Sequence, residues 1–335
     1  MSIWDQSLPE DKSLLPAGVP NRYNASGATY GTEYTREQIN EALESDNPLT
    51  VVPSTDTNGH GTFLAGIAAG GILPNQDFTG AAPECELVIV KLKPAKQYLR
   101  DFYLISNDAD AYQENDIMMG IKYLRVEAYS QRKPLVILLG IGSNLGSHEG
   151  TSPLNVMIQD ISRYLGMATV IAAGNETGRG HHYMGSVPIG EESVEVEIRV
   201  GNAESQRGFV VELWADTADT YSVGFVSPSG ESIGRIPIIG RNETSIPFLL
   251  EPTVITVNYQ LIETGAGKQL VFIRFEAPTN GIWRIRVYNT QYLTGQFNMW
   301  LPAHTLISDE TVFLTPSPYT TITLPGRFSL SNHSR

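Results

Sequence analysis

Cysteine is nearly absent. Cys85 is the only one in 335 residues, so no disulfide can close within the chain. It lies beside the apolar run Leu87-Val88-Ile89-Val90 and reads as a packing residue rather than a nucleophile. Positive charge is also scarce: 23 Lys and Arg stand against 36 Asp and Glu, a formal net charge of -13. That balance argues against nucleic acid or an anionic membrane as a partner. No apolar run is long enough to cross a membrane. Met1-Ser2-Ile3-Trp4-Asp5 has neither the basic start nor the apolar centre of a secretory signal, and the compartment is left unassigned. What remains is ordinary for a globular protein, 41% hydrophobic and 18% charged, with length for two compact units or one large unit carrying an insertion.

From Met1 to about Thr29 the chain is rich in Pro, Gly, Asn and Ser without periodicity, which predicts a surface loop. Thr35-Arg36-Glu37-Gln38 forms a capping box opening a helix through Glu44, and Pro48 is expected to end it. The uninterrupted run Leu87–Val90 predicts a strand buried on both faces, as in a parallel sheet. Helix over 114–131, strand over 135–139, helix over 154–165 and strand over 168–172 follow. That alternation implies a doubly wound, mostly parallel α/β sheet. Ligands bind such sheets at the carboxyl ends of the strands, where the glycine-rich words at Gly140 and Gly174 fall.

After about Pro188 the period changes to two. Val194-Glu195-Val196-Glu197-Ile198-Arg199-Val200 alternates apolar with charged, as does the stretch from Ile282 to Val287 more loosely. Turn words such as Ser227-Pro228-Ser229-Gly230 separate such stretches, so an antiparallel β-sandwich is expected over 190–305. It would be flanked by an α/β part over 1–189 and a return to that part over 306–335.

One stretch organises the rest: Asn58-Gly59-His60-Gly61-Thr62-Phe63-Leu64-Ala65-Gly66-Ile67-Ala68-Ala69-Gly70. It places a histidine at the mouth of a helix of small residues, which must gain from close packing and so belongs in the middle of a fold. Most lone histidines are capping or core residues, but the neighbouring words change that weighting. His60-Gly61-Thr62 with Phe63–Gly70 resembles the histidine motif of the subtilisin-like serine peptidases, the subtilases. Gly80-Ala81-Ala82-Pro83-Glu84 running into Leu87–Lys91, Val136–Gly142, and Val170-Ile171-Ala172-Ala173-Gly174-Asn175-Glu176 resemble the same family in the same order. Ser2-Ile3-Trp4-Asp5-Gln6, Tyr30–Tyr34, Val52–Asp56 and Gly146-Ser147-His148-Glu149-Gly150 are similar to the Csp-type subtilases of spore-forming Firmicutes.

The resemblance implies a role for each matching residue. His60 would be the imidazole that takes and returns the nucleophile's proton, and Asn175 the side-chain donor to the oxyanion. Alone, Gly174-Asn175 would read as a turn. Gly140, Ile141 and Gly142 would line the substrate groove and pair with an extended peptide of a protein substrate; bare glycines could equally make a simple turn. The sandwich would be the jelly-roll insertion of the Csp group, and the compartment spore or cytoplasm. No cofactor and no metal are expected: adjacent His181 and His182 point apart on most backbones, with no partner ligand nearby in sequence.

Two thirds of the triad are not visible. In Gly150-Thr151-Ser152-Pro153 the serine precedes Asn175, against the family's order, and reads as the cap of the next helix. Asp5, Asp11, Asp46 and Asp56 are the only aspartates upstream of His60, and none sits in an Asp-Thr-Gly or Asp-Ser-Gly word. Asp56 reads as connector. The chain is therefore expected to be a central portion of a peptidase domain, lacking the Asp and Ser segments and inert alone. Two other readings stand beside it: a non-catalytic pseudoprotease that binds peptides or partner proteins, and a carbohydrate-binding sandwich suggested by Trp214, Trp283 and Trp300. His148 reads as a loop residue.

Overall fold

The computed structural model describes residues 1–9, 30–73, 77–203, 207–216, 218–238, 243–291 and 293–315. The expected tail beyond 315 and most of the expected N-terminal loop lie outside the described residues. The elements run β1 Ser2–Asp5, β2 Thr32–Tyr34, α1 Arg36–Glu44, α2 Pro48–Val51, α3 His60–Ala69, β3 Val88–Lys91, α4 Gln97–Phe102, α5 Glu114–Gln131, β4 Leu135–Leu139, α6 Pro153–Ser162 and β5 Met167–Ile171. Strands then follow without helices: β6 His182–Ser186, β7 Ser193–Val200, β8 Gly208–Ala215, β9 Thr220–Val226, β10 Ser232–Ile233, β11 Thr244–Pro247, β12 Val254–Gln260, β13 Gln269–Glu276, β14 Gly281–Gln291, β15 Gln296–Trp300 and β16 Val312–Phe313. Parallel and antiparallel sheets coexist in a mixed α/β fold.

Two compact units divide the chain. The first comprises Met1–Ala95, Tyr112–Gly140 and Met157–Ile171. Its three-stranded sheet has the order β2-β1-β3, with β1 antiparallel to β2 and parallel to β3. The strand β1 corrects the loop expected at the N-terminus. Four residues are too few to display a period, but paired at Ile3↔Ile89 and Trp4↔Val90 they become the centre of a sheet. Trp4 is fully buried between the rings of Tyr30 and Tyr123, at centroid distances of 5.5 and 5.4 Å. The expected capping box at Thr35 and Gln38 is present. Pro48 does not simply stop α1; it takes the first position of α2, where its missing N–H costs nothing.

β4 and β5 pair in parallel, Leu135↔Met167 through Leu139↔Ile171, and α5 packs against both β3 and β4. Burial departs from expectation here. β3 is half-buried throughout, not enclosed on both faces. On β4, Ile137 is buried while Val136 is 68% exposed and Leu138 is exposed, with Val170 exposed beside them. Cys85 is exposed and so is not the packing residue expected. α3 has no buried residue among its ten, and Phe63 is 66% exposed, so the helix does not sit in the middle of the described fold.

The second unit comprises Lys96–Ala111, Ile141–Val156 and Ala172–Arg335. It holds two antiparallel sheets, five strands in the order β10-β9-β14-β7-β16 and six in the order β11-β12-β13-β8-β15-β6. Pairing starts at His182 and ends at Val312–Phe313, on either side of the 190–305 stretch. The period-two words sort as expected. Val196 and Ile198 face Trp283 and Ile285 in a core shared by both sheets, which also takes in Val211 and Ile273. Their charged alternates pair outside, Arg284 Nε to Glu197 at 3.0 Å and Arg286 Nε to Glu195 at 2.8 Å. These half-exposed pairs set register more than stability, at about 0–1 kcal/mol each. Trp283 is core, with 0% exposure, which removes it as a ligand platform.

Candidate active site

Gly59 precedes α3 at φ 84, a left-handed backbone that suits glycine, and it offers no side chain to cap the helix. The cap comes from Asp56, expected to be mere connector. Its Oδ1 accepts from the N–H groups of Asn58 and Gly59 at 3.1 and 2.8 Å, and its Oδ2 from the N–H and hydroxyl of Thr62 at 2.9 and 2.7 Å. The hydrogen bond from Thr62, then those from Gly59 and Thr62 N–H, hold the carboxyl down to about 2. An acidic residue upstream of a helix mouth with Thr at the third helical position was the legible signal.

His60 opens α3, and its Nε2 lies 3.0 Å from the carbonyl oxygen of Gly140 at the end of β4. A carbonyl only accepts, so the tautomer that fits this contact is the one with a proton on Nε2. Nδ1 is buried and has no partner among the described residues. This tautomer is the reverse of the one a general base needs, where Nδ1–H is held by a carboxylate and Nε2 is free to take a proton. Gly140 permits the approach by lacking a side chain. A Cβ there would overlap Leu64 Cδ1 and stand 3.5 Å from His60 Nε2.

Within the second unit, Ile141 is half-buried, and Gly142 and Asn175 are exposed. The residue after Asn175 turns inward. Glu176 is buried, and its carboxylate accepts from His181 Nδ1 at 2.5 Å and Asn144 Nδ2 at 3.0 Å on Oε2, and from His304 Nδ1 at 2.5 Å and His304 N at 3.2 Å on Oε1. Burial alone would raise this carboxyl, but the hydrogen bonds from His181, His304 and Asn144 prevail and hold it at about 2. The hub ties together the segments that carry Asn144, His181 and His304. In the sequence Glu176 is no more than the end of the Val170–Glu176 motif, because the two histidines that explain it are distant or unpatterned.

A sequence profile described as the Subtilase family matches residues 20–231, more than half of the chain. The chain belongs to this family. Among solved structures, the CspB protease of Clostridium perfringens is similar at 30% identity and a TM-score of 0.74, over 88% of this chain. This chain spans 58% of that protein's chain. No curated protein matches. Family and neighbour together make the chain a Csp-type subtilase.

The other residues weighed in this subtilase have structural partners. Asp5, at the end of β1, is fully buried and accepts from Ser7, Ser54 and Lys91 Nζ, the last at 3.0 Å, rather than from a histidine. Ser152 caps α6, accepting from Asn155 N at 3.2 Å. His181 and His182 do point apart, toward Glu176 and toward Asn298. His148 is more than a loop residue: it and His182 stack on the two sides of the Trp300 ring, each at 3.8 Å, and His148 Nε2 bonds the Asn144 carbonyl at 2.8 Å. Among the described residues no group of three His, Cys, Asp or Glu is arranged to hold a metal ion. The Glu176 hub is a hydrogen-bonded one, each histidine donating through Nδ1.

Proposed function

We propose that this chain is the central portion of a subtilisin-like serine endopeptidase domain acting on protein or peptide substrates. His60 is its general base, Asn175 its oxyanion donor, and Gly140, Ile141 and Gly142 the segment that pairs with an extended peptide. The antiparallel sheets are a jelly-roll-like insertion between Asn175 and a serine segment carried elsewhere, within an otherwise doubly wound domain.

The observation that carries the reading is the state of His60. Its ring sits at a helix mouth against the end of a parallel strand, with Nδ1 buried and unpartnered. That nitrogen is the one a triad carboxylate would hold. With Nε2 committed to Gly140, the ring cannot accept a proton there, and loss of the correct tautomer costs about 10⁴ in rate in serine peptidases. The chain as it stands is therefore inert. Incubation with unfolded casein tests this, with His60→Ala as control. We expect no cleavage above the control; cleavage that the substitution abolishes would overturn the assignment of an incomplete site.

The same tautomer supports a second reading, a pseudoprotease that holds peptides or partner proteins without cutting. The two readings share the peptide groove and differ in what completes His60. Titrating isotope-labelled protein with an extended peptide should shift the resonances of Gly140–Gly142 and Asn175; a peptide that shifts neither set removes both readings.

A further inference from the structure

The outer face of the six-stranded sheet carries a smaller apolar cluster of its own, Val210, Trp214, Leu270 and Phe272, with a groove beside it. Period-two alternation sends Ile255, Val257, Ile273 and Val211 into the shared core and their neighbours outward. Thr256, Asn258 and Gln260 of β12 then stand beside Phe272 and Arg274 of β13 and Glu212 of β8, with Asn258 opposite Phe272 and Phe272 opposite Glu212. Phe102 and Tyr103, at the end of α4, wall this row on one side. Phe102 stacks on Phe272 at 5.3 Å, and Tyr103 meets the same ring edge-on at 5.9 Å. Between them lies a cavity of about 280 Å³, near the small end of ligand pockets.

A second observation sits at its floor. Glu212 is 6% exposed, and both donors that reach it, Gly146 N at 2.7 Å and Trp214 Nε1 at 2.8 Å, converge on Oε2. Oε1 receives no hydrogen bond among the described residues and belongs to the side chain that lines the cavity. Oε1 opens to the cavity, and burial raises the Glu212 carboxyl above the usual carboxylate range. Nearby, the Nε of Arg274 is buried and also unpartnered, while its terminal nitrogens serve Glu276 at 3.1 Å and Glu243 at 3.7 Å.

We propose that this groove binds a neutral saccharide, whose hydroxyls pair with Glu212, Asn258 and Gln260 while one sugar face lies against Phe102 and Tyr103. The chemistry selects this class over others. A hydroxyl both donates and accepts, so it pairs with the Glu212 carboxyl in either protonation state, with two carboxamides and with the Arg274 Nε–H in one site. A cation would need converging carboxylates, and Glu243 is drawn toward Arg274 instead. An extended peptide would need an open sheet edge, whereas the groove lies on the sheet face, inside β11. The tryptophans that prompted a sandwich of this kind are not the platform: Trp283 is core, Trp214 is packed with Leu270 and Phe272, and Trp300 is held between two histidines.

The test is saturation-transfer NMR on the full chain with cellobiose, maltose and N,N′-diacetylchitobiose at millimolar concentration. At least one should receive transfer. Its affinity should fall about tenfold or more in Asn258→Ala, an outward-facing site with no partner whose loss would unfold the sheet, and in Glu212→Gln. Gln260→Ala serves if the buried Glu212 substitution disturbs folding. Absence of transfer to all three sugars, or transfer unchanged in both Asn258→Ala and Gln260→Ala, overturns the proposal. So does displacement of a bound sugar by the peptide Gly-Lys-Gly, which would mark Glu212 as a cation site.

Discussion

Burial pushes the His148 imidazole down to about 4. The Asn144 carbonyl and Glu149 oppose this and His182 adds to it, while His182 is itself lowered by burial. A histidine with a depressed folded pKa is neutral in the fold and takes up its proton on unfolding. Its contribution is therefore complete above the unfolded value near 6.5 and is lost as pH falls toward 4, by up to about 3 kcal/mol. Urea titrations across that window should show unfolding free energy dropping with acid, and His148→Asn should flatten part of the slope. Asn tolerates the left-handed φ of 56 at this position; His182 keeps the remainder. Glu176 acts at lower pH with the carboxylate sign: its stabilisation is full above about 4.5 and lost toward 2. Glu176→Ala strands His181, His304 and Asn144 together, and a loss of about 3–5 kcal/mol is expected at pH 7. An unchanged urea midpoint would show that the hub holds nothing.

At the scale of elements, two helix ends carry opposite expectations. Asp56→Ala removes the acceptor of the Asn58, Gly59 and Thr62 N–H groups at the mouth of α3, leaves Asn58 Oδ1 on His60 N, and should cost about 1 kcal/mol. It should also shift the His60 ring resonances, because the same turn sets the ring's entry. Arg132 follows α5 at φ 54, where glycine has no Cβ penalty, so Arg132→Gly should stabilise by about 0.5–1 kcal/mol, read as a raised melting temperature. Much of this level was legible in the sequence. The 114–131 helix and the 135–139 strand lie where their runs placed them, since long periods and uninterrupted apolar runs record which face each residue buries. β1 was not legible. Its four residues gain strand geometry from β2 and β3 on either side, and pairing across 86 positions leaves no local mark. Glu176 escaped for the same reason, its meaning lying partly in His304, 128 residues away, whereas Asp56 had a local mark in Thr62 at the third position of α3.

At the scale of the molecule, the first unit exposes apolar surface that a parallel sheet ordinarily covers. Val136, Leu138 and Val170 share one face of the β4–β5 pair, and Phe63 and Ile67 stand out from α3. Contiguous apolar surface of this kind drives association. Light scattering should therefore show mass rising with concentration, and Val136→Thr with Leu138→Thr should lower it. A wild-type mass independent of concentration would show that the face is not sticky. The sequence by itself determined the family words, the change of period near 190 and the residue at the helix mouth, because each is a local pattern of size, charge or spacing. Only the tertiary structure decided the contact of His60 with Gly140, the hub at Glu176 and the donors that reach Glu212. Those depend on which donors and acceptors folding brings within 3 Å, and residues so joined can stand anywhere in the chain.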